Sequence, residues 1–141
     1  IVDRSIIFEN LKKALCWVPV DGTHDLGPGH KQSATNQQFC YELSKCMSCC
    51  CCMESCPQFK KNGKFIGPAV FSQMVMFNMH PTSKMTKDER TKKAMGNGGL
   101  IDCGNAQNCV RVCPKNIPLT KSIAILGRDA TVVGIKKLLW Q

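Results

Sequence analysis

Cys46-Met47-Ser48-Cys49-Cys50-Cys51-Cys52-Met53-Glu54-Ser55-Cys56-Pro57 is the stretch on which the reading of this chain turns. Taken at the right period, Cys46, Cys49, Cys52, Cys56 and Pro57 spell C-x-x-C-x-x-C-x-x-x-C-P, the spacing that wraps a cubane iron-sulfur cluster. The first three thiolates fit one turn of loop and hold one cluster. The last, after a longer gap, is directed outward to a different cluster. One such run therefore predicts a second.

The second run is Cys103-Gly104-Asn105-Ala106-Gln107-Asn108-Cys109-Val110-Arg111-Val112-Cys113-Pro114. It keeps the first, third and last cysteines and the proline, but Ala106 stands where the second ligand belongs. A methyl group cannot bind iron. With the crossed ligation of two-cluster ferredoxins, Cys46, Cys49, Cys52 and the outlying Cys113 hold a 4Fe-4S cluster. Cys103, Cys109 and the outlying Cys56 are left for the other, and three thiolates predict a 3Fe-4S cluster.

Zinc is the main competing reading, because C-x-x-C pairs also form tetrahedral zinc sites. Zinc takes four ligands per ion, whereas this chain offers seven thiolates in a crossed pattern, each run closing on Cys-Pro. A disulfide framework expects a short secreted chain with an even cysteine count. The 11 cysteines here include the consecutive Cys49 to Cys52, too close for ordinary bridging geometry.

At 141 residues the chain is one domain's worth, enough to bury about two-thirds of its unfolded surface. Starting at Ile1, it reads as a piece of a longer polypeptide. No apolar run approaches bilayer-spanning length and no signal peptide opens the chain. The free thiols suit a reducing compartment. A formal charge of +9 brings no phosphate-binding or stacking motif with it, so a nucleic-acid partner is not expected. Cluster-bound thiolates offset part of that charge, and the rest suits docking surfaces.

Residues 4–15 read as an amphipathic helix with Ile7, Leu11, Ala14 and Leu15 on one face and Asp3 as N-cap. Pro19 to Thr35 reads as a long loop, and Asn36 to Ser44 as a helix feeding the first run. Pro68 opens a helix with Val70, Phe71, Met74 and Phe77 as its apolar stripe, stopped by His80-Pro81. Thr86 and Glu89 form a capping box for a short charged surface helix that Gly96 ends. Met74, Met76, Met79 and Met85 read as core filler. Leu119 to Leu139 reads as helix, with Ile123, Leu126, Val133 and Leu138 apolar and Gly127 a break. No useful strand alternation appears. The expected fold is all-α, with the cysteine loops in place of a conventional apolar centre.

The chain resembles the C-terminal two-cluster domain of the iron-sulfur subunit of succinate dehydrogenase and fumarate reductase. The residues that carry the resemblance are Val2-Asp3-Arg4, Asp25-Leu26-Gly27-Pro28-Gly29, Tyr41-Glu42-Leu43, Phe65-Ile66-Gly67-Pro68-Ala69 and the second run lacking its second cysteine. It spans essentially all 141 residues. The resemblance implies a preceding plant-type ferredoxin domain with a 2Fe-2S cluster before Ile1. It implies an electron relay from an FAD-containing flavoprotein to a membrane quinone, with a cytochrome b anchor as neighbour and no catalytic residue in this chain. It also implies a peripheral position on the cytoplasmic face of the inner (plasma) membrane.

Ubiquinone-linked branches carry a tryptophan pair after the first Cys-Pro and a histidine after the first cysteine of the second run. Here those neighbourhoods hold Phe59-Lys60-Lys61 and Gly104, closer to the menaquinone-linked branch. Cys50 stands where that family has Gly or Ala. Removing seven ligands from 11 cysteines leaves Cys16, Cys40, Cys50 and Cys51, expected as buried inert thiols. The alternatives are a heterodisulfide-reductase-like or glycolate-oxidase-like carrier, in which both runs hold complete cubanes, and a zinc-stabilised interaction module.

Overall fold

The computed structural model describes residues 3–18, 30–60 and 62–139. Most of the expected loop, residues 19–29, and the Asp25–Gly29 motif with it, lie outside the described residues. Among the described residues seven α-helices follow in order: α1 (Ser5–Lys13), α2 (Ala34–Ser44), α3 (Cys51–Glu54), α4 (Pro68–Met79), α5 (Lys87–Met95), α6 (Asn108–Arg111) and α7 (Leu119–Leu139). Two 3₁₀ turns, Pro81–Thr86 and Leu100–Asp102, flank α5. No strand occurs among the described residues, so the all-α expectation is met.

The fold is organised around α4. Its first turn begins with Pro68, whose missing N–H is an orphan at that position anyway. Ala69, Val70, Phe71, Ser72, Met74, Val75 and Asn78 are all buried, so the helix is enclosed on more than one face. It packs against α7, α2, α1 and α5. Ile7, Leu43, Met53, Leu119 and Leu126 complete an apolar centre with it, and Phe65 meets Phe71 edge-on at 5.7 Å. The interior is thus conventional, contrary to the expectation of a core centred on the cysteine loops. Those loops lie on its flank, and Cys52 and Cys109 are the two cysteines buried in it.

The helix α1 buries Ile7, and Ala14 just past its end is buried too, as expected; its N-cap residue is Arg4, not the expected Asp3, which accepts from the Ser5 N–H at 2.9 Å one residue ahead of the cap. It stops at Lys13 because Leu15 turns left-handed (φ 57°) and closes a Schellman turn: Cys16 N–H donates to Leu11 O, and Leu15 N–H to Lys12 O. That turn delivers the Leu15 carbonyl to Arg90 Nε at 2.8 Å.

Arg90 is fully buried, and its hydrogen-bond partners among the described residues are all neutral oxygens. Its guanidinium donates to Leu15 O, Trp17 O, Asn78 Oδ1, Ser83 Oγ and Thr86 Oγ1, and it stacks on Phe77 at 5.7 Å. Five N–H donors on one rigid plane bind three chain segments together. This hub corrects two expectations. Thr86 does not cap α5, because its hydroxyl is held by Arg90 and Ser83 O. And α5 is not merely a surface helix, since Arg90, Thr91 and Ala94 are buried.

Gly96 ends α5 in an extended conformation, not the left-handed one. The positive-φ glycine in this turn is Gly98 (φ 85°), where an added Cβ would lie 1.9 Å from Lys64 O. Its carbonyl accepts from Ile66 N–H and so seats the segment that enters α4. The helix α7 runs unbroken through Gly127. It buries Leu126 and Val133, while Leu138 is exposed, as is Met85. Among the described residues no helix is long and apolar enough to cross a membrane.

Candidate iron-sulfur site

The two cysteine runs fold as copies of one backbone. In the first, Ser48 (φ 53°) and Cys50 (φ 64°) are left-handed; in the second, Asn105 (φ 50°) and Gln107 (φ 59°) occupy the same registers. A four-residue helix follows each, α3 after Cys50 and α6 after Gln107. The hydrogen bonds repeat as well. Cys56 N–H donates to Met53 O as Cys113 N–H does to Val110 O, and Phe59 N–H to Cys56 O as Asn116 N–H does to Cys113 O. Alternating left- and right-handed residues turn successive N–H groups toward one side, a concavity suited to an anionic group such as a sulfide-bearing cluster.

α3 and α6 pack against each other, and Asn108 Nδ2 donates to Ser55 O at 3.0 Å across the two runs. This contact carries each closing cysteine away from its own loop. Cys113 joins Cys46, Cys49, Cys50 and Cys52 around a first cavity. Cys56 joins Cys103 and Cys109 around a second, with Ala106 in its wall. Both lie against the entrance to α4, which contributes Ala69 to the first and Pro68 to the second. The seven thiols named from spacing therefore sort into a set of four and a set of three.

Their electrostatics follow the same partition at Cys46 and Cys109, whereas Cys52 also feels Cys109 from the other set. Burial pushes the Cys52 thiol up to about 12, and the nearby Cys46, Cys113, Cys49 and Cys109 sulfurs push the same way. Cys46 is raised by burial against a lowering backbone bond at Ser48, with Cys49 and Cys113 adding to the rise. Cys109 is raised by burial, and by Cys56 and Cys103, against the Val110 N–H. Crowded thiols like these become thiolates together when cationic iron supplies the opposing charge. Among the described residues no three donors converge tightly enough to hold a single metal ion. Thiols spread around a cavity fit a polynuclear group better than one zinc.

A 4Fe-4S dicluster domain family matches residues 42–117, more than half of the chain and inclusive of both runs. The chain belongs to that family. This 4Fe-4S dicluster domain is 55% identical, over 96% of its length, to the succinate dehydrogenase iron-sulfur subunit of Bacillus subtilis, of which it covers 53%. It is 28% identical, over 84% of its length, to the fumarate reductase iron-sulfur subunit of Wolinella succinogenes, covering 50% of that chain. The dicluster domain thus spans about half the length of these curated relatives. The resemblance read from the motifs is borne out, and iron-sulfur clusters are the cofactors of this domain.

Among the leftover cysteines, Cys16 fits the expectation of an inert thiol, its pKa pushed up to about 12 by burial. Cys51 does not, being exposed. Cys50 lines the first cavity, a placement that ligand spacing alone did not give. No signal in the sequence marks it; in the structure Gln107 holds the same register of the second loop and lines the second cavity. Gln58 sits over Gly104, its Nε2 2.9 Å from where a Cβ would stand.

Proposed function

We propose that this chain is the two-cluster relay domain of the iron-sulfur subunit of a succinate dehydrogenase or fumarate reductase, passing electrons between a flavoprotein and membrane quinone. The observation that carries the reading is the sorting of thiols from both runs into one cavity with Cys46, Cys49, Cys52 and Cys113 and another with Cys56, Cys103 and Cys109. The first set has the donor number for a 4Fe-4S cluster and the second for a 3Fe-4S cluster. When bound, such clusters supply one-electron acceptance and donation.

The chain's own part is to hold and insulate. The thiolates anchor, the left-handed loop residues aim backbone N–H groups inward, and Ala106 withholds a ligand. Three thiolates bring less negative charge than four, which favours electron uptake at the second cavity and suits it to the quinone side. No side chain in either wall needs to act as nucleophile or general base. The similarity to iron-sulfur subunits supports FAD-containing flavoprotein and cytochrome b partners, a 2Fe-2S ferredoxin domain ahead of these residues, and a seat on the cytoplasmic face of the inner membrane. Phe59-Lys60-Lys61 and Gly104 favour menaquinone.

The test is metal and sulfide analysis with electron paramagnetic resonance on the full-length protein in its complex. About seven irons attributable to these residues, with an oxidised three-iron signal, is the expected result. About eight without that signal would point to a carrier with two complete cubanes, and zinc without sulfide to an interaction module.

A further inference from the structure

We infer that Cys50 is a reserve ligand of the first cavity, able to take over the iron position vacated when Cys49 is lost. The inference rests on the cluster assignment proposed above. Five thiols line a cavity that needs four donors, and Cys50 is the surplus one. Of the four cysteines outside the ligand set, neither Cys16, Cys40 nor Cys51 lines either cavity.

The register of Cys50 explains its placement independently of its chemistry. Gln107, at the same point of the second loop with the same left-handed backbone, also lines its cavity. This loop position therefore faces the cavity whichever residue occupies it. The Cys50 thiol is held there lightly, its S–H, a weak donor, giving to Ser48 O at 3.6 Å. Cys50 follows Cys49 directly in the chain and shares its cavity, which makes the Cys49 iron position the one it can reach. Substitution is balanced: Cys50 releases its proton to solvent, one iron–sulfur bond replaces the one lost with Cys49, and the total ligand charge is unchanged. The second loop has no such reserve, because Gln107 cannot supply a thiolate where Ala106 already fails to.

The test uses the full-length holoprotein in its complex and reads bound iron and sulfide rather than turnover. Cys49→Ala is expected to keep the wild-type iron content, as is Cys49→Ala/Cys51→Ser, whereas Cys49→Ala/Cys50→Ala, left with the three thiolates of Cys46, Cys52 and Cys113, loses about one iron and gains a second oxidised three-iron signal. In parallel, iodoacetamide labelling with mass analysis should find Cys50 reactive in the wild type and protected in Cys49→Ala. The same geometry predicts that Gln107→Cys adds about one iron at the second cavity.

Loss of iron in Cys49→Ala with Cys50 present, equal labelling of Cys50 in both proteins, or misfolding of Cys49→Ala as severe as that of the double variant would each overturn the inference. So would an unchanged iron content in Gln107→Cys. A wild-type protein with no iron and sulfide would instead sink the cluster assignment itself.

Discussion

Ala106 occupies the register at which Cys49 lends a thiol to the first cavity, on a backbone of the same shape. The missing donor is thus a side-chain difference on a retained scaffold, and restoring the sulfur needs no rebuilding of the loop. Ala106→Cys is expected to complete a four-iron cluster at the second cavity: about one iron is gained and the oxidised three-iron signal disappears, as iron analysis and electron paramagnetic resonance would show. Cys16 makes a different prediction. Its pKa is raised from 9.0 to about 12 in the folded chain, so the folded state keeps a proton that the unfolded state releases. That contribution is complete below pH 9 and is lost as pH climbs from 9 to 12. Denaturant titrations should show stability falling across that window, with the fall reduced in Cys16→Ala. The seven cysteines proposed as ligands were legible as two spaced runs because their spacing is a local constraint. Cys50 was not, since spacing carries no record of which way a left-handed residue points.

The helices divide by how much tertiary contact shapes them. Pro68 and the Val70, Phe71, Met74 stripe marked α4 correctly, because an N1 proline and helical apolar spacing act within the element. Thr86 misled because its hydroxyl goes to a guanidinium four residues on, an acceptor role no capping pattern encodes. Gly127 was read as a break, yet α7 passes straight through it and binds the Gly127 carbonyl to Thr131 Oγ1. Packing of α7 on α4 and α5 outweighs the propensity cost of one glycine. An added Cβ at Gly127 meets nothing within 4 Å. Gly127→Ala should therefore raise stability by about 1 kcal/mol, visible as a thermal midpoint about 3 °C higher.

Across the whole molecule, the contact of α3 with α6 exchanges the closing cysteines between the two cavities. Cys113→Ser should accordingly disturb the 4Fe-4S centre while leaving the oxidised three-iron signal in place; loss of the three-iron signal alone would contradict the exchange. The fold class was readable from helical periodicity and the lack of strand alternation. The position of the core was not, because cysteine density suggested loops at the centre, whereas α4 gathers enough apolar surface to form one without them.

The shared sulfurs also bear on how the protein is born. As synthesis proceeds from the N-terminus, the donors of the first cavity are not all present until Cys113 has left the ribosome, later than Cys109 completes the second. Under the proposed assignment neither run carries a complete donor set by itself, so metal delivery waits until Cys103 and Cys109, and for the first cavity Cys113, have emerged and docked against the earlier run.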